Sequence, residues 1–303
     1  MPTTLLHFSD VHFPGALRGW GPRDIFSKKM VGLFNVKVMG RGRSFQRAKR
    51  IVEAILADAK ADPPDSLVFS GDATMLGLPH EFVHAAETLG VWDSELPQGF
   101  AVPGNHDYYT PHAGRSGGFE KAFAPWHVGE RLAGHHYPFA RRVGHVWLIG
   151  VNSAHQRHRI GASGKIGAAE LLRLRELCAN LSPGPRILVT HYPLRKANGE
   201  LEGKSHRLLD HAAALEAAKD CGIGLWLHGH IHHPFVLAPG AAIPFPVINA
   251  GSATQEKRHA HNRYSIDGFT LTMVRRIYDP DAHGFRDGER VEMELTSLAG
   301  ASG

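Results

Sequence analysis

Five short clusters of Asp, Asn and His side chains stand out in the 303-residue chain. They lie at residues 10–12, 72, 105–107, 191 and 230–232. These residue types supply the hard oxygen and borderline nitrogen ligands of catalytic divalent metals, whereas structural zinc sites rely on thiolates. One carboxylate can bridge two ions, and two-metal sites hold the ions roughly 3.5–4 Å apart to stabilise both oxygens of an in-line displacement. The clusters therefore indicate a catalytic metal centre.

Each cluster directly follows a predicted strand. Short apolar runs predict these strands at residues 4–8, 66–70, 100–102, 186–190 and 223–227. In an α/β sheet the carboxyl ends of the strands open into one crevice. We therefore expect the five clusters to converge there.

Two local features of the clusters bear on how their side chains are aimed. The i,i+2 spacing of Asp10 with His12, and of His230 with His232, would direct both side chains to one face of an extended backbone. A glycine precedes three of the polar residues, and we expect these glycines to form sharp turns: Gly71, Gly104 and Gly229.

Along the rest of the chain, short apolar runs alternate with helical patterns, which predicts an α/β fold. Apolar residues at helical spacing predict helices over residues 45–60, 79–90, 168–181 and 205–218. Further strands are predicted near 135–140, 145–151 and 247–249, and the alternating segments 264–278 and 290–295 should pair antiparallel and close the sheet. Because the chain has neither an internal repeat nor a dividing linker, residues 1–297 are predicted to form one domain, followed by a flexible tail at 298–303.

The composition excludes several classes of protein. With 43% hydrophobic and 21% charged residues, the chain is globular rather than disordered. No apolar run approaches the roughly 18 residues of a membrane span. Residues 1–4 lack the basic start of a secretory signal, so we expect a cytoplasmic protein. Cys178 and Cys221 are too few for a disulfide framework and are expected to be small buried hydrophobes.

The net charge of +5 is concentrated in one segment. Of the 34 basic and 29 acidic side chains, residues 18–50 hold ten basic and one acidic, which leaves the remainder at −4. Within an insertion at about 14–45, Phe26, Met30, Leu33 and Phe34 recur at helical spacing and predict a basic amphipathic helix. It could contact an anionic membrane peripherally, cap the active site or form an ordinary surface helix. Nucleic acid is disfavoured as a partner because no recognised binding module is present.

In order and spacing, the motifs resemble those of the calcineurin-like metallophosphoesterase superfamily. The series D-x-H, G-D, G-N-H-D, H and G-H-x-H runs from Asp10 to His232, and the N-A-G-S at residues 249–252 resembles the short loop that usually follows. Within the superfamily the series is most similar to the class III cyclic nucleotide phosphodiesterases. The resemblance implies a four-layer αββα sandwich, in which two mixed β-sheets pack together with helices outside.

The resemblance also implies a dinuclear metal centre with a defined set of ligands. Asp10, His12, Asp72 and His232 would hold the first ion, and Asp72, Asn105, His191 and His230 the second, so that Asp72 bridges both. His106 would contact the phosphate without binding a metal, and would stabilise or protonate the leaving oxygen. A metal-bridging hydroxide would be the nucleophile, with no covalent phospho-enzyme. Such mixed sites accept Mn, Fe, Zn or Co, so the ligands do not identify the two divalent ions.

One departure from the family pattern concerns the orientation of His106. Relatives often carry a further acid after the G-D motif, where this chain has Ala-Thr-Met-Leu at residues 73–76. Asp107 is the carboxylate that we expect to orient the His106 ring instead.

Several polar residues outside the motifs need separate interpretations. His7 and His228 lie at strand positions and are expected in the core beside the ligands. Asn152 and Arg157 follow a predicted strand and are candidates for phosphate contact. A role in the substrate groove and a plain surface role are equally open for five further histidines: His135, His136, His155, His158 and His233.

The motifs favour a dinuclear-metal phosphoesterase that acts on a small phosphoester, in particular a phosphodiester such as a cyclic nucleotide. The alternative is hydrolysis of a lipid-linked phosphate or pyrophosphate at the membrane surface, because the basic insertion follows the first motif directly. A non-catalytic scaffold ranks last, since it predicts lost ligands or a missing His106 and neither is observed. The motifs carry no information on the oligomeric state.

Overall fold

Two mixed β-sheets lie at the centre of the computed structural model, which describes residues 1–13, 47–109, 111–155 and 162–295. The described strands are β1 (Thr3–Phe8), β2 (Ser66–Phe69), β3 (Gly99–Ala101), β4 (Glu130–Arg131), β5 (Phe139–Val143), β6 (Val146–Gly150), β7 (Arg186–Val189), β8 (Leu225–His228), β9 (Phe235–Leu237), β10 (Val247–Asn249), β11 (Ala260–Asp267), β12 (Thr270–Asp279) and β13 (Gly284–Glu294). The described helices are α1 (Ala48–Ala61), α2 (Pro79–Thr88), α3 (Pro111–Ser116), α4 (Gly118–Ala122), α5 (Ala168–Asn180) and α6 (His211–Asp220), with a 3₁₀ helix at Ala124–His127.

Each sheet combines a parallel part with an antiparallel edge. The first sheet has the order β13-β12-β11-β1-β2-β3, and β1, β2 and β3 are its parallel strands. The second sheet has the order β4-β5-β6-β7-β8-β10-β9, in which β6, β7, β8 and β10 are parallel. The carboxyl ends of the parallel strands carry the five polar clusters, as the sequence predicts.

The two sheets pack face to face around an apolar core. Phe100 of the first sheet stacks on Phe139 of the second, with ring centroids 4.5 Å apart. Leu5, Leu148 and Ile187 are fully or almost fully buried in the same cluster. Removing such side chains from water contributes roughly 1.5–3 kcal/mol each, so this interface holds the strand ends of both sheets in fixed relative positions.

Helices cover the outer face of each sheet. On the first sheet, α1 buries Ile51, Val52 and Ile55, which recur at helical spacing. On the second sheet, α5 buries Leu174 and packs beside α6 in a separate apolar cluster. The layers run helix, sheet, sheet, helix, which confirms the predicted αββα architecture.

Most predicted elements agree with the structure, but four differ, and one of them is the last strand, which was predicted over residues 290–295 and begins already at Gly284. The helix predicted over residues 205–218 begins only at His211, because the Asp210 carboxylate accepts hydrogen bonds from the backbone N–H groups of Ile166 and Gly167. The alternating segment 264–278 is two strands rather than one, since Gly268 adopts a positive φ of 59° and turns the chain. The strand predicted near 135–140 begins at Phe139, and the loop before it contains the short helices α3 and α4.

Some predictions fall outside the described residues. These are the amphipathic insertion at about 14–45, the tail at 298–303, and the roles suggested for Arg157 and His158. The single domain over residues 1–297 stays a prediction. Among the described residues, no helix has both the length and the apolar character needed to cross a membrane.

Candidate metal centre

Backbone hydrogen bonds join the loops that carry the polar clusters. The N–H of Asp10 donates to the carbonyl of Gly71 at 2.9 Å, and the N–H of His12 donates to the carbonyl of Asp72 at 3.0 Å. Across the second sheet, the N–H of Gly229 donates to the carbonyl of His191 at 3.2 Å. The loops therefore support one another directly at the sheet edge.

The backbone of this centre is left-handed at the polar residues rather than extended. Asp10, His12, Asp72, His230 and His232 have φ angles of 56°, 47°, 60°, 72° and 60°. The explanation from an extended i,i+2 pair is therefore wrong, although the side chains do converge. A left-handed non-glycine residue costs roughly 1–2 kcal/mol and persists only where its surroundings enforce it. Such concentrated strain is typical of a functional site.

Glycines at the centre serve mainly to permit close approach. A Cβ on Gly104 would lie 2.1 Å from Oδ1 of Asp72, and a Cβ on Gly229 would lie 2.4 Å from Oδ2 of Asp10. Of the three glycines expected to form sharp turns, Gly71 alone has a positive φ, of 100°. The other two are needed because a carboxylate occupies the space that a side chain would fill.

The first group of candidate ligands comprises Asp10, His12, Asp72 and His232. Oδ1 of Asp10 lies 3.1 Å from Nε2 of His232 and 3.7 Å from Nε2 of His12. Nε2 of His12 lies 3.1 Å from Nε2 of His232 and 3.7 Å from Oδ2 of Asp72. Nδ1 of His232 donates to Oε1 of Gln255 at 2.7 Å, so its Nε2 presents a lone pair to the centre.

The second group comprises Asp72, Asn105, His191 and His230. Nε2 of His191 lies 3.4 Å from Oδ2 of Asp72 and 3.1 Å from Oδ1 of Asn105. Nδ1 of His230 lies 3.0 Å from the same oxygen of Asn105. Because Oδ2 of Asp72 faces both His12 and His191, Asp72 occupies the shared position between the two groups.

Hydrogen bonds on the far side of the rings fix their tautomers. Nδ1 of His191 donates to the carbonyl of Ser70 at 2.8 Å, and Nε2 of His230 donates to the carbonyl of His206 at 2.9 Å. The opposite nitrogens, Nε2 of His191 and Nδ1 of His230, therefore present lone pairs to Asn105. Metal-binding histidines are oriented by contacts of this kind.

An observation independent of the sequence pattern also indicates that these residues suit a pair of divalent cations. Oδ1 of Asp10 is buried and, among the described residues, has no hydrogen-bond partner. Nitrogen lone pairs face oxygen acceptors at distances close to 3 Å. A cation between such groups replaces the missing donors. Three sets of these side chains have ligand atoms within 4.8 Å of one another: Asp10, His12 and His232; His12, Asp72 and His106; and Asp10, Asp72 and His191.

The electrostatics of the centre also favour positive charge. Burial acts to raise the pKa of Asp72, but His191 and then His106 hold that pKa well below its usual range. Burial acts to lower the pKa of His191, but the carboxylate of Asp72 raises it to about 9. The ionised carboxylates therefore favour positive charge beside the ring, which a bound cation would supply.

His106 lies beside the candidate ligands with one ring nitrogen held away from them. Its Nδ1 donates to the carbonyl of Met75 at 2.7 Å, and its ring stacks on Tyr109 with centroids 5.4 Å apart. Its backbone N–H donates to Oδ1 of Asp72 at 2.7 Å. The ring thus presents Nε2 to the same space as His12, whose ring centroid lies 4.8 Å away.

Asp107 does not orient His106, so that expectation is wrong. Its buried carboxylate instead accepts hydrogen bonds from the backbone N–H groups of Asp72, Ala73, Thr74 and Gly104. The carboxylate therefore clamps two ligand-bearing loops together. Burial and the nearby charge of Asp72 raise the pKa of Asp107 to about 7, against the lowering effect of these hydrogen bonds.

The segment after β10 holds the first motif in place. Oγ of Ser252 donates to the carbonyl of Asp10 at 2.8 Å, and Oγ1 of Thr254 donates to the carbonyl of Val11 at 2.7 Å. The backbone N–H of Ala253 donates to the carbonyl of Ser9 at 2.9 Å. This stretch begins at Ser252, the last residue of the N-A-G-S loop noted in the sequence, and it supports the left-handed turn at Asp10.

Residues suggested for supporting roles have mixed outcomes. His7 and His228 are buried in the core, as predicted, and His7 contacts the hydroxyls of Ser70 and Tyr264. Asn152 is also buried, and its Oδ1 accepts from the N–H of Ala154, so its side chain holds a loop rather than reaching for phosphate. Both cysteines are buried thiols, as predicted.

Sequence reasoning missed the groups that orient the histidine rings. The carbonyls of Ser70, Met75 and His206 accept from ring nitrogens, and any residue type supplies a carbonyl, so no sequence signal marks them. Gln255 contributes a side chain, and its position shortly after the N-A-G-S loop is the one signal that could have drawn attention to it.

Comparisons with known proteins bear on the family and the fold. A family model described as calcineurin-like phosphoesterase matches residues 3–234. A dimetal phosphatase from Danio rerio has a similar structure, with a TM-score of 0.64 at 11% identity over 97% of this chain and 99% of that one. The purple acid phosphatase PPD1 from yellow lupin gives a TM-score of 0.59 at 12% identity over 97% of this chain and 54% of that one. No curated protein matches the chain. At these identities the structural likeness establishes the fold.

Proposed function

Since the chain belongs to the calcineurin-like phosphoesterase family and is a metal-dependent phosphoesterase, we propose that it hydrolyses phosphodiesters, with cyclic nucleotides as the first class to test. The observation that carries the proposal is the shared position of buried Asp72 between two groups of candidate ligands. The order and spacing of the motifs, which resemble those of class III cyclic nucleotide phosphodiesterases, support the diester preference.

Seven side chains would hold the ions, in the two groups described above, with Asp72 common to both. When bound, two divalent cations activate water as a nucleophile and neutralise charge that develops on the phosphoryl oxygens. Asp72 would fix the separation of the ions, and Asn105 would supply an amide oxygen that remains neutral at every pH. Four of the seven side chains are buried and therefore shielded from competing solvent: Asp10, His12, Asp72 and His191.

His106 would act on the leaving group. The carbonyl of Met75 holds its Nδ1 proton, so that Nε2 faces the reacting phosphate. In the protonated ring, Nε2 donates to the leaving oxygen as the bond to phosphorus breaks. Stacking against Tyr109 keeps the ring plane fixed during this transfer.

The test is a substrate screen with metal removed and restored. The protein is stripped with EDTA, reloaded with manganese, and assayed on bis(4-nitrophenyl) phosphate, 4-nitrophenyl phosphate and cyclic nucleotides. We expect diester hydrolysis only after reloading. His106→Ala should lower kcat by about 10²–10⁴-fold while two ions stay bound, and His211→Ala on α6 is the matched control. A metal-replete protein that hydrolyses no mono- or diester contradicts the proposal.

The alternative substrate class is a lipid-linked phosphate or pyrophosphate. Its motive is the basic segment at about 14–45, which lies outside the described residues. Adding a lipid pyrophosphate in mixed micelles to the same screen compares the two classes directly. Faster turnover of the lipid substrate than of every cyclic nucleotide favours the alternative.

A further inference from the structure

A second concave region lies at the edge of the sheets that carries the metal centre. It is a cavity of about 560 Å³ whose lining residues include Tyr108, Glu120, Tyr137, Asn152 and Glu170. The walls come from the segment after Asp107, from the residues before β5 and from the loop between β6 and α5. The proposed reaction makes no use of these residues.

Strand pairing places this cavity beside the second group of ligands. Phe139 at the start of β5 pairs with Gly150 at the end of β6, so the lining residues before β5 are at the ligand-bearing edge. Oγ of Ser153, next to the lining residue Asn152, accepts from the backbone N–H of His191 at 3.1 Å. The cavity therefore adjoins the side of the centre where His191 lies.

The inner wall is a fixed polar structure. The hydroxyls of Tyr108 and Tyr137 both donate to Oε1 of Glu120, in the case of Tyr137 at 3.2 Å. The Glu120 residue is 7% exposed, and its Oε2 has no hydrogen-bond partner among the described residues. This oxygen is itself buried, so it belongs to the interior of the wall rather than to the surface that a ligand would contact.

The second carboxylate of the wall is already satisfied. Oε1 of Glu170 accepts from the backbone N–H of Asn152 at 2.7 Å, and its Oε2 contacts Nε2 of His155 at 2.9 Å. Glu170 is therefore engaged with the loop after β6. Among the described residues, Glu170 forms no ion pair with the lysine and arginine side chains that line the cavity.

Three cationic side chains line the mouth without carboxylate partners. Nζ of Lys121 donates to the carbonyl of Ser116 at 2.9 Å, and Nε of Arg173 donates to the carbonyl of Tyr137 at 3.3 Å. Arg115 is exposed on the same rim. Within the described part of the chain, none of these three cations forms an ion pair. The positive charge of these three side chains would attract an anion bound in the cavity.

We propose that this cavity binds a second anionic group of the substrate, so that the preferred substrates are nucleotide phosphodiesters carrying one further phosphate. This inference rests on the proposed function insofar as it concerns which substrates are hydrolysed. Cations at the rim supply charge-assisted hydrogen bonds to phosphate oxygens, which are stronger than neutral ones.

The test compares two chromogenic diesters that differ by one phosphate. These are thymidine 5′-(4-nitrophenyl phosphate) and its 3′-phosphorylated counterpart, which release the same leaving group. The intact manganese-loaded protein should show a higher kcat/KM for the second. Arg115→Gln and Lys121→Gln should each lower the ratio of the two values by about tenfold, the effect of one lost hydrogen bond to a charged group. Arg290→Gln and Lys219→Gln, exposed cations elsewhere, should leave the ratio unchanged.

A binding measurement separates this proposal from the proposed function. Calorimetry compares thymidine 3′,5′-bisphosphate with thymidine 5′-monophosphate on the same protein and variants. If neither diester is cleaved but the bisphosphate binds more tightly and both cavity variants reduce that preference, the proposed function fails and the cavity assignment stands. If the second phosphate gives no preference, or if both cavity variants retain the full preference, the cavity assignment is overturned whatever the activity.

Discussion

Asp10 in the metal centre and Asp58 on α1 each contact a histidine ring, yet the other groups around the two carboxylates differ. Oδ1 of Asp10 lies 3.1 Å from Nε2 of His232, and Oδ2 of Asp58 lies 3.0 Å from Nε2 of His261. The local Asp–His geometry is nearly the same in both regions. What differs is whether further side chains pair with the carboxylate.

The chain itself neutralises the charge on Asp58. Nε of Arg263 lies 3.0 Å from its Oδ2, and Nη2 of Arg276 lies 2.7 Å from its Oδ1. By contrast, Oδ1 of Asp10 has no hydrogen-bond partner among the described residues. An Asp–His pair completed by arginine stabilises the fold, whereas a pair left incomplete is open to an external cation. The environment of each carboxylate, more than the pair itself, distinguishes the two roles.

The largest effect is expected when Asp72, the carboxylate shared by both groups of ligands in the metal centre, is replaced. Asp72→Asn should lower kcat on the order of 10³-fold and reduce the bound metal, because the group common to both ions loses its charge. The unfolding temperature in EDTA should also fall, because the lowered pKa of Asp72 means that the folded protein stabilises its ionised form. Metal analysis, manganese-dependent turnover and thermal unfolding measure the three effects. Asp281→Asn is the exposed control, and wild-type turnover with two bound ions would contradict the prediction.

Replacing Asp58, which His261, Arg263 and Arg276 surround, should have a different effect: stability should fall and turnover should not. Asp58→Ala should lower the free energy of unfolding by about 3 kcal/mol, because Arg263 and His261 are left with uncompensated positive charge or unmet donors. Turnover of the metal-loaded protein should not change. Urea unfolding measures the stability. Asp62→Ala is a matched control, since the Asp62 side chain contacts the same Arg263 at 2.7 Å but is 84% exposed and should contribute at most about 1 kcal/mol. Equal losses in the two variants would remove the distinction.

A smaller effect is expected from the group that orients His232. Gln255→Ala should weaken manganese binding at the first group of ligands by about 10–100-fold, because Nδ1 of His232 loses its acceptor. A manganese titration followed by activity and calorimetry resolves the change in affinity. Gln98→Ala provides the control, as Gln98 donates to the carbonyl of Pro125 away from the centre. Unchanged affinity would mean that the ring holds its orientation without Gln255.

The smallest effect concerns how much Asp58 contributes to the stability of the protein at acid pH. Burial acts to raise the pKa of Asp58, but His261 and Arg263 hold it well below its usual range in the folded protein. The resulting stability is present above the unfolded pKa of about 3.9 and is lost as the pH falls further. The difference in unfolding free energy between wild type and Asp58→Asn should therefore shrink below about pH 4, by at most about 1.4 kcal/mol per pH unit. Urea unfolding from pH 6 to pH 2.5 measures it, and a constant difference would contradict the assignment.

Periodicity and strand-end position were enough to predict an α/β fold and the convergence of the polar clusters, whereas the αββα layering was implied by the family resemblance. Apolar runs mark the buried strands, and the parallel strands of each sheet end at a common edge, so the positions of Asp72 and His191 follow from the pattern alone. The boundaries of α6 did not follow, because Asp210 caps a distant loop by a tertiary contact that periodicity does not record.

The backbone conformation of the centre could not be predicted from residue types. Asp10 and His12 are left-handed because Ser252 and Thr254, far along the chain, hold the carbonyls of Asp10 and Val11. The role of Asp107 was missed for a similar reason. Its acidic type suggested a partner for a histidine, whereas its burial among backbone N–H groups makes it a clamp between loops.

The contact between Ser252 and Asp10 has a consequence for biosynthesis. The two residues are 242 positions apart, so a nascent chain that has emerged only as far as the last predicted ligand, His232, still lacks the support of the first motif. Contacts of such long range form late in folding, because the loop they close costs much conformational entropy. We therefore expect the first motif to reach its final conformation, and so to become able to bind metal, only after the segment that follows β10 has been synthesised.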